Sequence, residues 1–353
     1  MSMNSNIAIG NVSKHLYRNN ADDGNVIKSY QTKFVDYNFF SINEAKNSDR
    51  IKNILYYSNH FLVIDEYEFI DINNLNKTYL ERVNVDNNKY LVFKYANDKY
   101  LQFYNFLFNI CNSKQFTYTI ITSFSYILKG LILLNDNNIC FFDFSPKNIV
   151  FHLRYREKPM LQDFELSLHV LKLNEKYITK IISKIDNYIH KPLEVHILFY
   201  IIQNDIQSLS YSLIIEIVEK FVKNLHILTL FSDSFQNSYK QKCIESLKQY
   251  INVPKTNIIE NILEHHNKWD VYSLSIIYLH IFEHVVKHFS LRQTSLNKIS
   301  NILLKYIEPD PINRGTLEQL LYDYEKIFDN ADWKFVNKLS SANMKVLLHN
   351  LIQ

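Results

Sequence analysis

Hydrophobic residues change their spacing near Leu101, and that change constrains the fold more than any single motif. Before it come short strand-like runs joined by polar, Asn-rich loops: "NIAIGNV", "KHLYRN", "GNVIKSYQTKFVDY", "HFLVIDEYEFIDI" and "KYLVFKYA" (Lys89 to Ala96). One helical pattern interrupts them. In "SINEAKNSDRIKNILYY", Ser41 stands as N-cap with Glu44 at the capping-box spacing, and Ile51, Ile54 and Leu55 form an apolar stripe. After Leu101, "QFTYTIITSFSYILKGLILLND" predicts a long amphipathic helix. Beyond Glu194 the chain is mostly helical, with periodic segments over 208–230 and 234–250 and through "WDVYSLSIIYLHIFEHVV". The expected fold class is therefore α+β, with a small β-rich part over 1–96 and a large helical part over 97–353, hinged near Lys94 to Lys99.

Composition narrows the class of partner. With 47% hydrophobic and 21% charged residues, a 353-residue chain can bury a sizeable core. Net charge is +3 without a basic block, so no nucleic-acid partner is expected. Runs such as "VHILFYII" are too short to span a bilayer, so no membrane partner is expected either. Cys111, Cys140 and Cys243 are odd in number and far apart, which predicts a reducing, cytoplasmic setting, and the amino terminus has no signal-peptide pattern. The 13 histidines, including His265–His266, show no metal-ligand spacing. With only 4 glycines, Asn is expected to take many left-handed turn positions.

The stretch "FFDFSPKNIVF" (Phe141 to Phe151) interrupts an apolar run with Asp143, Pro146, Lys147 and Asn148. A polar turn between two strands is one reading. The other adds "LQDFELS", where Asp163 supplies a second carboxylate between apolar flanks. Asp143, Asn148 and Asp163 together form an oxygen set suited to Mg²⁺, which completes its shell with water and phosphate.

These segments resemble the eukaryotic-type protein kinases. "FFDFSPKN" is similar to the catalytic loop His-Arg-Asp-Leu-Lys-x-x-Asn, and "DFE" to Asp-Phe-Gly. "KPLE" resembles Ala-Pro-Glu at Glu194. "WDVYSL" resembles the helix start whose Asp braces the catalytic loop, here Asp270, and "PDPINRGTLEQLL" carries the Arg that pairs with the Glu, here Arg314. The motifs occur in the family's order. The resemblance implies a bilobal kinase fold, monomeric, binding ATP and Mg and acting on a protein substrate. It implies Asp143 as catalytic base and Asn148 and Asp163 as metal ligands.

In the small lobe, "NVIK" resembles Val-Ala-Ile-Lys, making Lys28 the phosphate-anchoring lysine, with a solvated strand lysine as the plain alternative. Ala8, Gly10 and Ser13 stand where the family carries glycines, and the resemblance implies that Phe93 and Tyr95 join them in binding the nucleotide. Glu44 is the expected helix carboxylate, with Asp49 its rival and helix capping its competing role. The Asn- and Ile-rich composition and the "DFSPKN" loop are similar to kinases of large DNA viruses.

Several positions depart from the family. Phe141 and Phe142 replace His and Arg before Asp143, Ser145 replaces the Lys that meets the transferring phosphate, and Glu165 replaces the Gly after Asp-Phe. About seventy-five residues separate Glu194 from Asp270, which predicts a helical insert over about 198–266. Two readings follow: a Ser/Thr protein kinase of low activity, or a pseudokinase that binds partners through the insert. A small-molecule phosphotransferase with the related Asp-x₄-Asn loop is a third, less compatible with "WDVYSL" and the Glu194–Arg314 match.

Overall fold

The computed structural model describes residues 30–71, 89–110, 112–153, 158–186, 188–288 and 294–328, together with Val346 and His349. The elements run β1 (Tyr30–Asp36), α1 (Phe39–Lys52), β2 (Phe61–Leu62), β3 (Glu66–Asp71), β4 (Lys89–Ala96), β5 (Tyr100–Gln102), α2 (Phe103–Phe108) and α3 (Ser113–Asp136). Then follow β6 (Ile139–Cys140), β7 (Ile149–His152), β8 (Pro159–Gln162), β9 (Leu168–His169), α4 (Glu175–Ile182), α5 (Leu193–Gln203), α6 (Tyr211–Asn224) and α7 (Asp233–Leu247). Helices α8 (Lys255–Glu264), α9 (Trp269–His288), α10 (Ser295–Leu303) and α11 (Leu317–Lys326) complete it. The α+β class and the order expected from sequence, a small sheet region before a large helical part, are what the structure shows.

The first sheet is antiparallel, in the order β1-β4-β3. Val35, Leu91, Phe93 and Tyr95 lie on the face that packs on α1, around Ala45 and Ile64. A second sheet, β2-β8-β7-β5, ties the two parts together. There β2, from the amino-terminal region, runs parallel to β8, with Phe61 opposite Leu161. Strands β6 and β9 form a small ribbon beneath the catalytic-type loop.

Helix α1 starts earlier than its sequence predicts. Asn38, not Ser41, is the N-cap: its side chain accepts from the Phe40 and Ser41 amides (2.8 and 3.1 Å), and Ser41 Oγ accepts from the Asn38 amide at 3.1 Å. Ser41 is the third residue of the helix in this reciprocal cap, so Glu44 has no capping role. The helix stops at Lys52. Ile51 and Ile54 are buried, but Leu55, past the end, is exposed rather than part of the stripe. The run "HFLVIDEYEFIDI" likewise divides into β2 and β3 instead of forming one strand.

The helical part is built on α3. By length and composition α3 would cross a membrane, contrary to the expectation that every apolar stretch is too short. Here it is a core helix: Phe116, Ile120, Phe124, Leu128 and Leu131 are inaccessible. Ser123 Oγ meets Tyr278 OH of α9 at 2.8 Å, and Tyr324 OH of α11 donates to the Ile121 carbonyl at 2.7 Å. These bonds pair two polar groups of the apolar helix with its neighbours, whereas the buried Thr117 Oγ1 has no partner. Left-handed backbone falls at Asn138, Asn252, Asp163 and Asp205, but also at Tyr56 and Phe142, so Asn shares that role with bulkier residues.

Candidate active site

The loop from Phe141 to Asn148 is held from below by one carboxylate. Asp270, buried in the first turn of α9, accepts from the Phe141 amide at 2.7 Å and the Phe142 amide at 3.0 Å. Both oxygens serve the loop and not the helix's own amides. Burial pushes its carboxyl up, while the two loop amides and Lys191 pull it down. Phe142 sits at φ 60°, a conformation that costs a bulky residue on the order of 1–3 kcal/mol. The surroundings hold it there: the Phe142 ring lies 5.2 Å from Trp269, and Phe141 lies 5.2 Å from Phe164 and 5.5 Å from Phe144. Aromatic packing thus steadies the loop at Phe141 and Phe142.

Asp143 follows this strained residue and is one-third exposed, with an oxygen 3.1 Å from Lys191 Nζ. Asn148 ends the short 3₁₀ turn that Pro146 starts. Its Oδ1 accepts from both the amide and the hydroxyl of Ser145 (2.9 and 2.8 Å), and its Nδ2 donates to the Gln162 carbonyl at 3.4 Å. Asp163, just past β8, has φ 70° and an exposed side chain. Although water reaches it, protein encloses it on most sides. That partial burial, then Glu165 and Asp143, push its carboxyl up, and Lys33 pulls it down.

Helix α1 is clamped onto the segment after Asp163. Asn43 Nδ2 donates to the Glu165 and Ser167 carbonyls (2.8 and 2.9 Å), and Asn47 Nδ2 donates to those of Phe164 and Ser167 (both 3.0 Å). Tyr177 OH donates to Asn43 Oδ1 at 3.0 Å. Between the two asparagines, Glu44 is buried and its Oε2 has no hydrogen-bond partner. Desolvation, then Asp163 and Glu165, push the Glu44 carboxyl well up, while Lys33 and a hydrogen bond from the Phe164 backbone pull it down. Asp49 instead faces outward, 2.9 Å from Lys52 and 2.8 Å from the Tyr67 hydroxyl, so Glu44 is the carboxylate this helix brings near Asp163.

Lys28 lies outside the described residues, as do Ala8, Gly10 and Ser13. Among the described residues, the cation that strand β1 brings to these carboxylates is Lys33. It pairs in register with Phe93, on the face that looks toward α1, and its charge reaches both Glu44 and Asp163. Phe93 is a core residue of the sheet–helix cluster. Tyr95 lies closer to the charged groups: burial, then Glu44, Asp163 and Glu165, push its phenol well up. Alternation along "YQTKFVD" puts Lys33 and Val35 on one face, the signal that could have found Lys33.

At the far end of the segment, Glu194 and Arg314 are fully buried and bidentate, with Nη1–Oε1 2.7 Å and Nη2–Oε2 3.0 Å. Arg314 also donates to the carbonyls of Glu308 (2.9 Å), Pro309 (3.2 Å) and Lys268 (3.3 Å), and it lies over the Tyr272 ring. Every direction of the guanidinium is used. Glu165, where the family has Gly, turns its side chain to Lys184 at 3.5 Å.

For a metal, the donors suit a hard cation. Among the described residues no three His, Cys, Asp or Glu side chains converge to hold an ion. That leaves Asp163 and the Asn148 amide oxygen, a sparse oxygen set of the kind Mg²⁺ takes when phosphate supplies the rest. The gathering of like charge at Asp163, Glu165 and Asp143 is the field a cation relieves. Asn148 fits only if the Ser145 hydroxyl yields its place on Oδ1.

No family model matches the chain, and no curated protein does. Solved structures that it resembles are protein kinases. The twitchin kinase region from C. elegans (Fn31-NL-kin-CRD-Ig26) is 12% identical with a TM-score of 0.45, over 92% of this chain and 45% of that one. The autoinhibited serine kinase domain of the giant muscle protein titin is 14% identical with a TM-score of 0.45, over 92% of this chain and 80% of that one. A twitchin kinase fragment is 13% identical with a TM-score of 0.44, over 92% and 57%. This chain therefore spans less than half the length of the first of these proteins.

Proposed function

We propose that this chain is an ATP- and Mg²⁺-dependent protein kinase that phosphorylates a Ser or Thr hydroxyl of a protein. The observation that carries the reading is that Asp143, Glu44 and Lys33 all act electrostatically on or with Asp163, while Asp270 braces the loop that carries Asp143. Phosphoryl transfer needs positioning and charge stabilisation more than covalent chemistry, and this arrangement offers both. Asp143 accepts the proton of the acceptor hydroxyl as its oxygen bonds to the γ-phosphorus. The bond from that phosphorus to the β,γ-bridging oxygen breaks, and ADP leaves. Lys33 would hold the phosphates, oriented by the buried Glu44, and Asp163 with Asn148 would hold the metal, which would supply neutralisation of phosphate charge.

A second reading has one specific observation in its favour. Both acceptor directions of Asn148 Oδ1 are taken by Ser145, which suits a kinase-shaped binding protein better than a two-metal enzyme. Asp143→Asn separates the two, because the amide oxygen still accepts from Lys191 and keeps the loop folded. Turnover of radiolabelled ATP onto protein should fall roughly 10²-fold while ATP–Mg²⁺ affinity stays unchanged, as expected for a lost general base. Equal, trace phosphorylation by wild type and variant would support the binding protein.

A further inference from the structure

The loop that carries Asp143 lacks the cation that usually accompanies its base, and the structure brings one from elsewhere. Ser145 is bonded to Asn148, and Lys147 points to solvent. Lys191, forty-eight residues beyond Asp143, places Nζ 3.1 Å from Asp143 Oδ1 with its side chain only 2% exposed. Nζ also lies 5.4 Å from the centre of the Phe142 ring. We infer that Lys191 takes over the role missing at Ser145, orienting Asp143 and meeting the transferring phosphoryl group. This deepens the kinase reading and rests on it.

The placement is built from both sides. The Lys191 amide donates to the Tyr188 carbonyl at 3.0 Å. Pro192 fixes the next φ at −72° as the N-cap of α5, and Glu194, in the first turn of that helix, is locked to Arg314. The backbone under Lys191 is therefore anchored to the core through the buried ion pair. A lysine so enclosed loses most of its hydration, a cost that electrostatic attraction must offset. A purely structural lysine would meet a buried carboxylate. The one beside Lys191 is Asp143, which is one-third exposed, as a base that must reach an acceptor hydroxyl has to be. Lys191 also acts electrostatically on Asp270, so the same cation steadies the carboxylate that braces the loop. A fixed, dehydrated positive charge at this point is the kind that stabilises charge developing in the transition state.

The test uses the full chain and four variants: Lys191→Met, Lys191→Arg, Lys147→Met, and Lys191→Met combined with Ser145→Lys. Lys191→Met should lower kcat about 10²-fold with little change in the KM for ATP, the loss typical of removing one transition-state donor. Lys191→Arg should retain most of the rate, and Ser145→Lys should restore part of it to Lys191→Met, a rescue that a packing role would not show. A second readout does not need turnover. Aluminium fluoride should tighten ADP–Mg²⁺ binding to wild type, and that increment should shrink in Lys191→Met while binding of ADP–Mg²⁺ alone is unchanged. Unfolding curves identify any variant that fails to fold, and the Arg variant and the double variant then decide. Unchanged kcat and an unchanged fluoride increment in Lys191→Met overturn the inference while leaving the kinase reading intact. A loss on Lys147→Met with none on Lys191→Met does the same. A wild type that binds ADP–Mg²⁺ but transfers nothing to protein overturns the enzyme reading, and the inference that rests on it falls with it. A wild type that binds no nucleotide overturns both.

Discussion

Two buried glutamates, Glu44 on α1 and Glu194 on α5, sit at opposite ends of the segment running from Asp163 to Pro192, and they are treated in opposite ways. Glu194 is gripped bidentately by Arg314, whose remaining donors all find carbonyls. Glu44 is just as enclosed, yet one oxygen has no partner and like charges stand nearby. Most of the hydrogen bonds that dock α1 here belong to Asn43 and Asn47, and the carboxylate adds only a bond from the Phe164 backbone. A paired buried charge is structure. An unpaired one, next to a cleft that gathers Asp163 and Lys33, is a group kept ready for something that binds.

The largest effect should come from breaking the paired end. Arg314→Leu strands Glu194 in the core and should cost about 3–5 kcal/mol of stability in denaturant unfolding. A cost below about 1 kcal/mol would mean that the pair is no firmer than a surface bridge, and the contrast would fail.

Asp270 lies between the two extremes: it is buried and partnered, but by loop amides rather than a cation. Asp270→Ala should cost about 1.5–3 kcal/mol for the charged hydrogen bonds lost, read from the same unfolding curves. It should also loosen the loop that presents Asp143, visible as faster amide exchange at Phe141 and Phe142.

The smallest effect on stability, and the sharpest for the comparison, belongs to Glu44→Gln. Burial raises the Glu44 carboxyl in the folded state, so its stabilisation is full below the ordinary carboxylate range and is lost as pH rises through the raised value. A tenfold difference in proton affinity between the folded and unfolded chain is worth about 1.36 kcal/mol. Glu44→Gln should therefore flatten the decline of stability with pH in that window and leave neutral-pH stability unchanged or higher. Nucleotide affinity should nonetheless fall. A destabilisation matching that of Arg314→Leu would show that Glu44 is a structural charge after all.

Legibility differs between these ends for a physical reason. The Glu194–Arg314 pair and the Asp270 brace sit in segments whose residue types are demanding, "KPLE", "PINRGT" and "WDVYSL", so short strings suffice to bring them forward. The choice of cations does not follow from such strings. Lys28 matches through the look of "NVIK", whereas Lys33 is distinguished by its register with Phe93 and by which face of β1 meets α1. Lys191 carries no signal beyond standing before Pro192, since its partner is remote in the chain. The start of α1 is not legible because Asn38 and Ser41 are equally plausible caps until the preceding strand fixes where the chain turns.

Periodicity and composition by themselves determined the division into a small β-rich part and a large helical part, because hydrophobic spacing is a local property that each element must satisfy alone. The order of the acidic motifs was equally a matter of sequence. Only the tertiary structure decided which charges are paired. Burial, field and hydrogen-bond supply at a carboxylate depend on elements far apart in the chain: α1 against the turn at Phe164, α9 beneath Phe141, and Lys191 against Asp143. Those contacts turn Glu194 into a fastening, leave Glu44 without an ion-pair partner among the described residues, and set a buried lysine beside the partly exposed Asp143.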